Sequence, residues 1–396
     1  MPSRIKNLFP RVIINSRCEK TIEVDLISDN WEKVTASTPS GKSKGKKEIA
    51  EIKPDEAVNL IENKIFSEIK GFELCQQTKF DTLLNNLGDN VGSNTKLVLS
   101  IAYLKLSSLS LSLENYAYIR HYLTKIDKSF YNFPIPHFNM VNGGVHANNS
   151  LNFQEFLVIP KLKASFKENY WAAVDIYQSL KTVLIRSGLG TTIADEGGYS
   201  FDLKDDTKVF DLLKIACTEK SLSPGKDIFF GIDASADNLH KSAENLSSIY
   251  EKIVANYPLI YIEDPYTENE YKYWLNIMSK KNHNLLIIGD DLTVTNSQYI
   301  NQYAQKKMIN GVIIKPNQIG TVTQTLEAVE TAKKNHLKIV VSHRSGETND
   351  DFIADFALAV EADGVKFGAP ARGERVAKYN RLLKIEDSLI NKTNNK

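Results

Sequence analysis

Acidic and basic side chains follow a series of short apolar segments in the second half of the sequence. The run "FFGID" ends in Asp233, "LIYIE" in Glu263 and "LIIGD" in Asp290, and "GVIIK" ends in Lys315. Similar positions are held by Asp264, Asp291, His343, Arg344 and Lys366. A single polar residue of this kind is usually a helix cap or a solvated residue, and we keep that interpretation for Asp264 and Asp291. The repetition over successive segments, acids first and bases later, instead indicates one shared site.

The residue types in this series predict metal-assisted proton abstraction. Asp233, Glu263 and Asp290 would repel one another at one site unless a cation lay between them. Oxygen ligands without His or Cys favour Mg²⁺. Beside that cation and each other, Lys315 and Lys366 are expected to have depressed pKa values, and a lysine of that kind can act as a base near neutral pH. Since a cation bound to a carboxylate makes the adjacent C–H acidic, the series predicts removal of a proton α to a carboxylate.

A second group of residues could supply the acid for such a reaction. Glu196 in "IADEGG" and Glu155 in "FQEF" are the candidates, and each could equally be a surface residue at a strand end. The paired glycines after Glu196 favour a tight turn that approaches other groups closely. His146 in "NGGVHANNS" fits a turn residue as well as a substrate contact.

The elements that must position these residues alternate along the chain. After about residue 125, short apolar runs alternate with amphipathic stretches of helical length, which predicts an α/β fold with a C-terminal (β/α)8-type barrel over 126–390. In such a barrel the carboxyl ends of all strands meet at one mouth. A doubly wound open sheet is the rival, but no G-x-G-x-x-G opens a helix after a strand. Residues 1–125, strands then helices, predict a smaller α+β domain, and 391–396 a frayed tail.

Composition excludes several classes of protein. The 396 residues are 42% hydrophobic and 24% charged with a formal net charge of +1, so no global field would attract nucleic acid or a membrane surface. The most apolar segment, "KLVLSIAYLKLSSLSLSL", contains Lys105 and many serines, which predicts a buried helix and no membrane span. Three widely spaced cysteines, Cys18, Cys75 and Cys217, fit reduced thiols and a cytoplasmic location.

Several motifs together resemble the enolase family, the phosphopyruvate hydratases. They are "NMVNGGVHANNSLNFQEFLVIP", "ADEGG", "IEDP", "GDDLTVTN", "IKPNQIGT", "SHRSGET" and "KFGAPARGERVAKYNRLLKIED", and the match is close from about residue 136 to 390. The resemblance implies a Mg²⁺-dependent dehydration of 2-phospho-D-glycerate to phosphoenolpyruvate in a homodimer. A Lys base with one or two Mg²⁺ ions is the pairing known for such sites.

The resemblance also implies a role for each matching residue. Asp233, Glu263 and Asp290 would hold the first Mg²⁺, and Ser43 would help to hold a second. Lys315 would remove the C2 proton, and Glu196, with Glu155 beside it, would assist departure of the C3 hydroxyl. The implied substrate contacts are His146, Gln154, His343, Arg344 and Ser345, of which the last two would bind the phosphate, together with Lys366, which would bind the carboxylate.

The N-terminal region departs from the family pattern. The family's active-site loop reads S-G-A-S-T-G, whereas this chain has "SGKSKG", with Lys42 and Lys44 where small residues are usual. These lysines could attract the substrate phosphate or repel the second metal ion. "NSRCEKT" keeps Arg17 but loses a glycine and a proline of the family pattern, and Arg17, Arg381 and Glu386 lie in segments that resemble the family's subunit interface.

Two other functions remain open at this point. A different acid–sugar or muconate-type member of the superfamily would carry K-x-K on an early strand, and "KLK" at 161–163 lies past the strand end, whereas "SHRS" favours a phosphorylated substrate. An enolase-like protein with reduced or no activity, retained for a binding role, would fit the divergent N-terminal region.

Overall fold

The N-terminal part of the chain is a small sheet covered by helices. The structure, a computed structural model, describes residues 2–42, 45, 47–126, 130–162, 165–239 and 241–394. Strands β1 (Ile5–Ile14), β2 (Lys20–Ser28) and β3 (Lys33–Ser37) pair antiparallel in that order. Alternate residues of β2, namely Ile22, Val24 and Leu26, are fully buried, because a strand turns every second side chain to the same face.

Five helices follow the small sheet. They are α1 (Pro54–Leu60), α2 (Phe66–Ile69), α3 (Gln77–Asn86), α4 (Ser93–Ser110) and α5 (Asn115–Tyr118). Helix α4 packs on β2 and β3 and is buried along nearly its whole length, which confirms the prediction of a buried helix for the most apolar segment. Within the described residues, no single helix is long and apolar enough to span a membrane; α4 with residues 115–123 passes that test only as a pair bent by 94°.

An eight-stranded barrel occupies most of the remaining chain. Its strands are β4 (Ile135–Pro136) with β5 (Phe138–Asn142), β6 (Glu155–Pro160), β9 (Ile228–Asp233), β10 (Leu259–Glu263), β11 (Leu286–Gly289), β12 (Gly311–Ile314), β13 (Lys338–Ser342) and β14 (Gly364–Lys366). Only His137 separates β4 from β5, so the two together count as the first strand of the barrel. This first strand pairs with β14 through β4 and with β6 through β5, so the sheet closes on itself.

The outer helices confirm the strand-then-helix rhythm. They are α6 (Phe166–Arg186), α7 (Thr207–Glu219), α8 (Ala243–Asn256), α9 (Tyr271–Lys280), α10 (Ser297–Gln305), α11 (Pro316–Ile319), α12 (Val322–Lys334), α13 (Phe352–Ala359) and α14 (Gly373–Asn394). Helix α14 continues to Asn394, and the expected frayed tail over 391–396 stays a prediction. Extending a helix that is already anchored adds one hydrogen bond per residue, whereas starting one is costly.

The barrel differs from the expected parallel arrangement in one strand. Strand β6 runs antiparallel to both β5 and β9. A parallel pair needs a crossover, usually a helix, and the connection between β5 and β6 holds only a short 3-10 turn at Gly144–His146. In addition, "TTIADEGG" is no barrel strand: β7 (Thr192–Ile193) and β8 (Tyr199–Ser200) form a hairpin beside β5.

Buried polar contacts fix the N-terminal part against the barrel. The Asp81 carboxylate of α3 accepts hydrogen bonds from the backbone N of Thr323 at 2.8 Å and from Ser100 Oγ at 2.6 Å. The Asp350 carboxylate accepts from Lys105 Nζ at 2.7 Å and from the backbone N of Ser37 at 3.0 Å. Because Ser37 ends β3, the segment that follows it is directed over the barrel mouth. We call residues 38–48 the lid segment.

Candidate active site

The three carboxylates predicted to bind a metal lie together at the carboxyl ends of adjacent strands. Asp233 ends β9 and Glu263 ends β10, where the two residues are partners in the ladder, and Asp290 directly follows β11. All three are at most 7% exposed. The parallel strands carry them to the same mouth, as the sequence predicted, because each strand ends at the same level of the barrel.

Lys366, at the end of β14, is the counter-charge for most of this acidic group. Its Nζ lies 2.7 Å from Glu263 Oε2, 3.1 Å from Asp233 Oδ2 and 3.1 Å from Glu155 Oε2. Burial lowers the pKa of Lys366, but Asp233, Glu155 and Glu263 outweigh it and raise that pKa well above its usual value. The lysine is therefore charged while these carboxylates surround it, and the depressed pKa expected beside a cation stays a prediction.

Lys315, which follows β12, contacts the Asp290 carboxylate directly through Nζ. Burial lowers its pKa, but the surrounding carboxylates, Asp290 first and Glu263 after it, together outweigh burial and raise the pKa of Lys315 to about 12. This direction applies to Lys315 facing Asp290 directly. The depressed pKa expected from the sequence applies to carboxylates neutralised by a cation, and it stays a prediction for the metal-bound site.

Glu196 and Glu155 lie across the mouth from Lys315, with the two predicted histidines beside them. Glu196 Oε1 is 3.3 Å from His146 Nδ1, and its Oε2 is 3.6 Å from His343 Nε2 and accepts from Asn139 Nδ2 at 2.9 Å. Glu155 starts β6, and because β6 is reversed its first residue lies at the mouth. Carboxylate or imidazole atoms of His146, Glu155 and Glu196 lie within 4.8 Å of one another.

The protonation of this group suits an acid. Burial, with the neighbouring carboxylates, raises the pKa of Glu155 well above its usual value despite Lys366. Burial lowers the pKa of His343 to about 3, so its imidazole is neutral. Burial raises the pKa of Glu196, but the contacts with His146 and His343 outweigh burial and lower that pKa well below its usual value. Of the two carboxyl groups, Glu155 is therefore the one that favours a bound proton.

Gln154, a predicted substrate contact, and Arg375 both contact other residues of the site. Gln154 Nε2 lies 3.4 Å from Asp233 Oδ2. Arg375 Nη1 lies 2.7 Å from His343 Nδ1 and donates to the carbonyl oxygen of Arg344, and its Nη2 donates to the carbonyl of Ser345 at 2.6 Å. The sequence offered no signal for Arg375, which lies in a helix away from any strand end.

Arg344 and Ser345 meet the lid segment. Arg344 Nη1 donates to Glu48 Oε2 at 3.1 Å and to Asn317 Oδ1 at 3.3 Å. A Cβ on Gly41 would lie 1.7 Å from Arg344 Nη2, so only a glycine allows this approach. The backbone N of Lys42 donates to Ser345 Oγ at 2.8 Å. Ser43, the predicted ligand of a second Mg²⁺, and Lys44 lie outside the described residues.

The Lys42 ammonium group contacts an acid that the sequence analysis did not consider. Its Nζ is 3.5 Å from Asp195 Oδ2, which Arg17 Nη1 also approaches at 3.5 Å. Asp195 precedes Glu196, so the lid segment contacts the hairpin that carries the candidate acid. Sequence reasoning did not find Glu48 either, although it is the only acid in the lid segment.

Asp264, interpreted as a cap, has a more specific role. Its carboxylate accepts from the backbone N of Asp290 at 3.0 Å and of Asp291 at 2.8 Å, so it holds the turn after β11 and caps no helix. Gln318 Nε2 donates to Asp290 Oδ1 at 3.1 Å. Asp290 is thereby fixed from two directions. The motif "IKPNQIGT" contains Gln318, but nothing in its spacing indicated this contact.

The donor set fits a divalent cation. The ligand candidates Asp233, Glu263 and Asp290 supply oxygen only, and Glu263 Oε1 is buried with no hydrogen-bond partner among the described residues. A second oxygen-rich group is formed by Asp264, Asp290 and Asp291, whose carboxylates lie within 4.8 Å of one another. Buried carboxylates in such numbers are more stable with a hard cation than without one.

Comparison with known proteins gives matches over nearly the whole chain. The family model described as Enolase, N-terminal domain, matches residues 5–119, and that described as Enolase, C-terminal TIM barrel domain, matches 130–244 and 234–396. The chain is 37% identical over 413 residues to a protein named Enolase from Ehrlichia ruminantium (strain Gardel), which covers 98% of this chain and 97% of that protein.

Proteins from two other organisms give matches of similar quality. The protein named Enolase from Campylobacter lari is 36% identical over 408 residues, covering 96% of this chain and 97% of the relative. The one from Saccharolobus solfataricus is 37% identical over 402 residues, covering 95% and 94%. The similarity includes the N-terminal region, where the sequence alone gave few matching motifs.

Proposed function

The chain belongs to the enolase family, and we propose that its barrel mouth catalyses the reversible, Mg²⁺-dependent dehydration of 2-phospho-D-glycerate to phosphoenolpyruvate. The observation that carries the proposal is the placement of Lys315 on one side of the mouth and of Glu196 and Glu155 on the other, with the carboxylates of Asp233, Glu263 and Asp290 at the strand ends. A base and an acid on opposite sides match a reaction that removes a proton and a hydroxyl from adjacent carbons.

Lys315 is the base in this proposal, and Glu196 with Glu155 supplies the acid. Lys315 Nζ takes the proton from C2, a double bond forms between C2 and C3, and the C3 hydroxyl leaves as water after it receives a proton from the carboxyl pair. When bound, Mg²⁺ stabilises the negative charge that develops on the substrate carboxylate. Glu155 retains its proton through burial, which makes it the store for the acid step.

The remaining residues bind and orient the substrate. Arg344 and Ser345 hold the phosphate, for which a planar guanidinium is well suited, and Lys366 faces the carboxylate. His146, Gln154 and His343 contact the substrate near the leaving hydroxyl. Asp233, Glu263 and Asp290 hold the first Mg²⁺, and Ser43 is proposed to help hold a second.

The test is the absorbance rise of phosphoenolpyruvate from 2-phospho-D-glycerate with Mg²⁺ and after addition of EDTA. We expect metal-dependent activity in the native protein and a loss of more than about a thousandfold in Lys315→Ala. Lys338→Ala is the matched control, because Lys338 lies at the opposite end of β13 and pairs with Asp363. Absence of activity in the native protein would favour the binding role, which no observation on the described residues supports.

We also propose that the protein is a cytoplasmic homodimer. The edge strand β1 leaves Phe9 and Ile14 exposed by 53% and 67%, which supports a partner surface there. Two expected interface residues are already used within the chain: Arg381 pairs with Asp355 and Glu114, and Glu386 accepts from the backbone of Phe166 and Lys167. Light scattering at micromolar concentration tests the proposal, and the mass of a monomer would contradict it.

A further inference from the structure

Tyr261 lies inside the barrel directly below the proposed metal site. It precedes Glu263 by two residues on β10, so both side chains point to the barrel interior. The Tyr261 side chain is fully buried, and its hydroxyl donates to Glu263 Oε2. Lys366 Nζ contacts the same oxygen at 2.7 Å. One oxygen of the Glu263 carboxylate is therefore held by two donors.

The other oxygen of Glu263 has no such partner. Glu263 Oε1 is buried, and no hydrogen bond reaches it from the described residues. The Glu263 carboxylate is held at Oε2 and unpartnered at Oε1 among the described residues. It can therefore present Oε1 to a cation from one defined position. Because the whole Glu263 residue is 0% exposed, water does not compete for that oxygen from outside the barrel.

The position of the Tyr261 ring is set by the barrel interior. The ring belongs to a buried cluster that also contains Leu157, Ile159, Ile288, Ile313 and Val340. A Cβ on Gly231, in the neighbouring β9, would lie 2.9 Å from Tyr261 Cβ, so this glycine provides the room that the ring occupies. A tyrosine packed in this way loses little freedom when its hydroxyl donates to Glu263.

We propose that Tyr261 is a positioning residue for the divalent cation: its hydroxyl fixes Glu263 Oε2 and thereby directs Oε1 of the same carboxylate at the metal. The proposal rests on the proposed function, since it assigns Glu263 as a ligand. Groups that hydrogen-bond a ligating carboxylate reduce the motion that the carboxylate must lose on binding, and their removal typically weakens metal binding by about 10–100-fold.

The test is the dissociation constant of Mg²⁺ measured by calorimetry on the purified full-length protein without substrate. We expect Tyr261→Phe, which keeps the ring and removes only the hydroxyl, to raise this constant by about tenfold. The rise in melting temperature on adding Mg²⁺ is expected to shrink in the same variant.

Tyr103→Phe is the matched control. Tyr103 is also fully buried, and its hydroxyl donates to the carbonyl of Glu73 at 2.6 Å in the N-terminal part of the chain. Both variants lose one buried hydroxyl donor, so both should unfold more easily, but only Tyr261→Phe should change the Mg²⁺ constant. An unchanged constant, a tighter one, or an equal change in both variants overturns the proposal.

Gly231→Ala gives a second, independent measurement. The added methyl group should displace the Tyr261 ring and weaken Mg²⁺ binding while the hydroxyl is still present. If Gly231 acts through that hydroxyl, the alanine should add little to the effect of Tyr261→Phe in the double variant. Full additivity would contradict the inference. A native protein that binds no Mg²⁺ would instead refute the proposed function, so the two failures are distinguishable.

Discussion

The strand-borne and loop-borne halves of the mouth are built in different ways. Asp233, Glu263 and Lys366 are the last residues of barrel strands, and their positions follow from the ladders that hold those strands. Arg344 and Ser345 follow a strand too, but part of what fixes them comes from the lid segment, namely Gly41, Lys42 and Glu48. The strand-borne half is thus positioned by the strand ladders, whereas the loop-borne half also depends on contacts with the lid segment.

The largest effect is expected from Asp290→Asn on the strand-borne half. The change removes a proposed metal ligand and the counter-charge of Lys315, so we expect the rate of phosphoenolpyruvate formation to fall about a thousandfold. Steady-state kinetics over a range of Mg²⁺ concentrations measures it. Asp363→Asn, at the opposite end of the barrel, is the control. A loss that high Mg²⁺ fully restores would mean that Asp290 serves binding of the metal alone.

Gly41→Ala makes the corresponding test of the loop-borne half. Because the new Cβ would lie 1.7 Å from Arg344 Nη2, either the guanidinium or the lid segment must move. We expect kcat/KM to fall by about 10–100-fold while Mg²⁺ binding without substrate stays unchanged. Gly373→Ala is the control, since a Cβ there meets nothing within 4 Å. A loss as large as that of Asp290→Asn would show that both halves contribute equally.

The pH dependence of metal binding sharpens the description of the strand-borne half. Burial, together with Asp233, raises the pKa of Glu263 to about 8. A proton and a cation compete for the carboxylate, so the apparent affinity for Mg²⁺ should increase as the pH rises towards 8 and level off above it. The expected change is up to about tenfold per pH unit below that value. Calorimetry at pH 6.5 and 8.5 measures it, and equal affinities would contradict the prediction.

The smallest effect is expected from Lys42→Ala. The pair between Lys42 and Asp195 is 3.5 Å long, and both side chains are about one-third exposed. Exposed ion pairs contribute little, so kcat/KM should change by less than about threefold, and the change should decrease at high salt. Measurement of kcat/KM for both proteins at low and high ionic strength tests this prediction. A larger loss would mean that the lid segment depends on this contact for closure.

The same division explains what the sequence could predict. The sequence predicted that five charged residues lie close together, because the carboxyl ends of barrel strands all meet at the same mouth. These residues are Asp233, Glu263, Asp290, Lys315 and Lys366. The antiparallel direction of β6 was not predicted, because the hydrophobic pattern of a strand is the same for either direction. The direction depends on whether the connection between β5 and β6 contains a crossover helix. Glu48 and Arg375 were missed because the partner of each is far away in the sequence and no local pattern marks the contact.

The carboxylate that faces Lys315 was also beyond the sequence. The sequence predicts two lysines near several acids, but only distances show that Asp290 contacts Lys315 and that Lys366 contacts Asp233, Glu155 and Glu263. The family resemblance supplied the roles of Glu196, Arg344 and Ser345, which the residue types alone left open. The enolase matches then extended the resemblance to the N-terminal region.

The closure of the barrel has a consequence for how the protein is made. The first barrel strand, β4 with β5, pairs with β14, where Gly364 lies opposite Ile135. The barrel can therefore close only when the last strand has left the ribosome. Lys366 arrives with that strand, and until then Asp233, Glu155 and Glu263 have no ammonium group between them. Between the synthesis of Glu263 and that of Lys366, the nascent chain therefore carries these three acids without the lysine that later pairs with them. Pairing over such a sequence separation is slow, so closure of the barrel is expected to come late in folding.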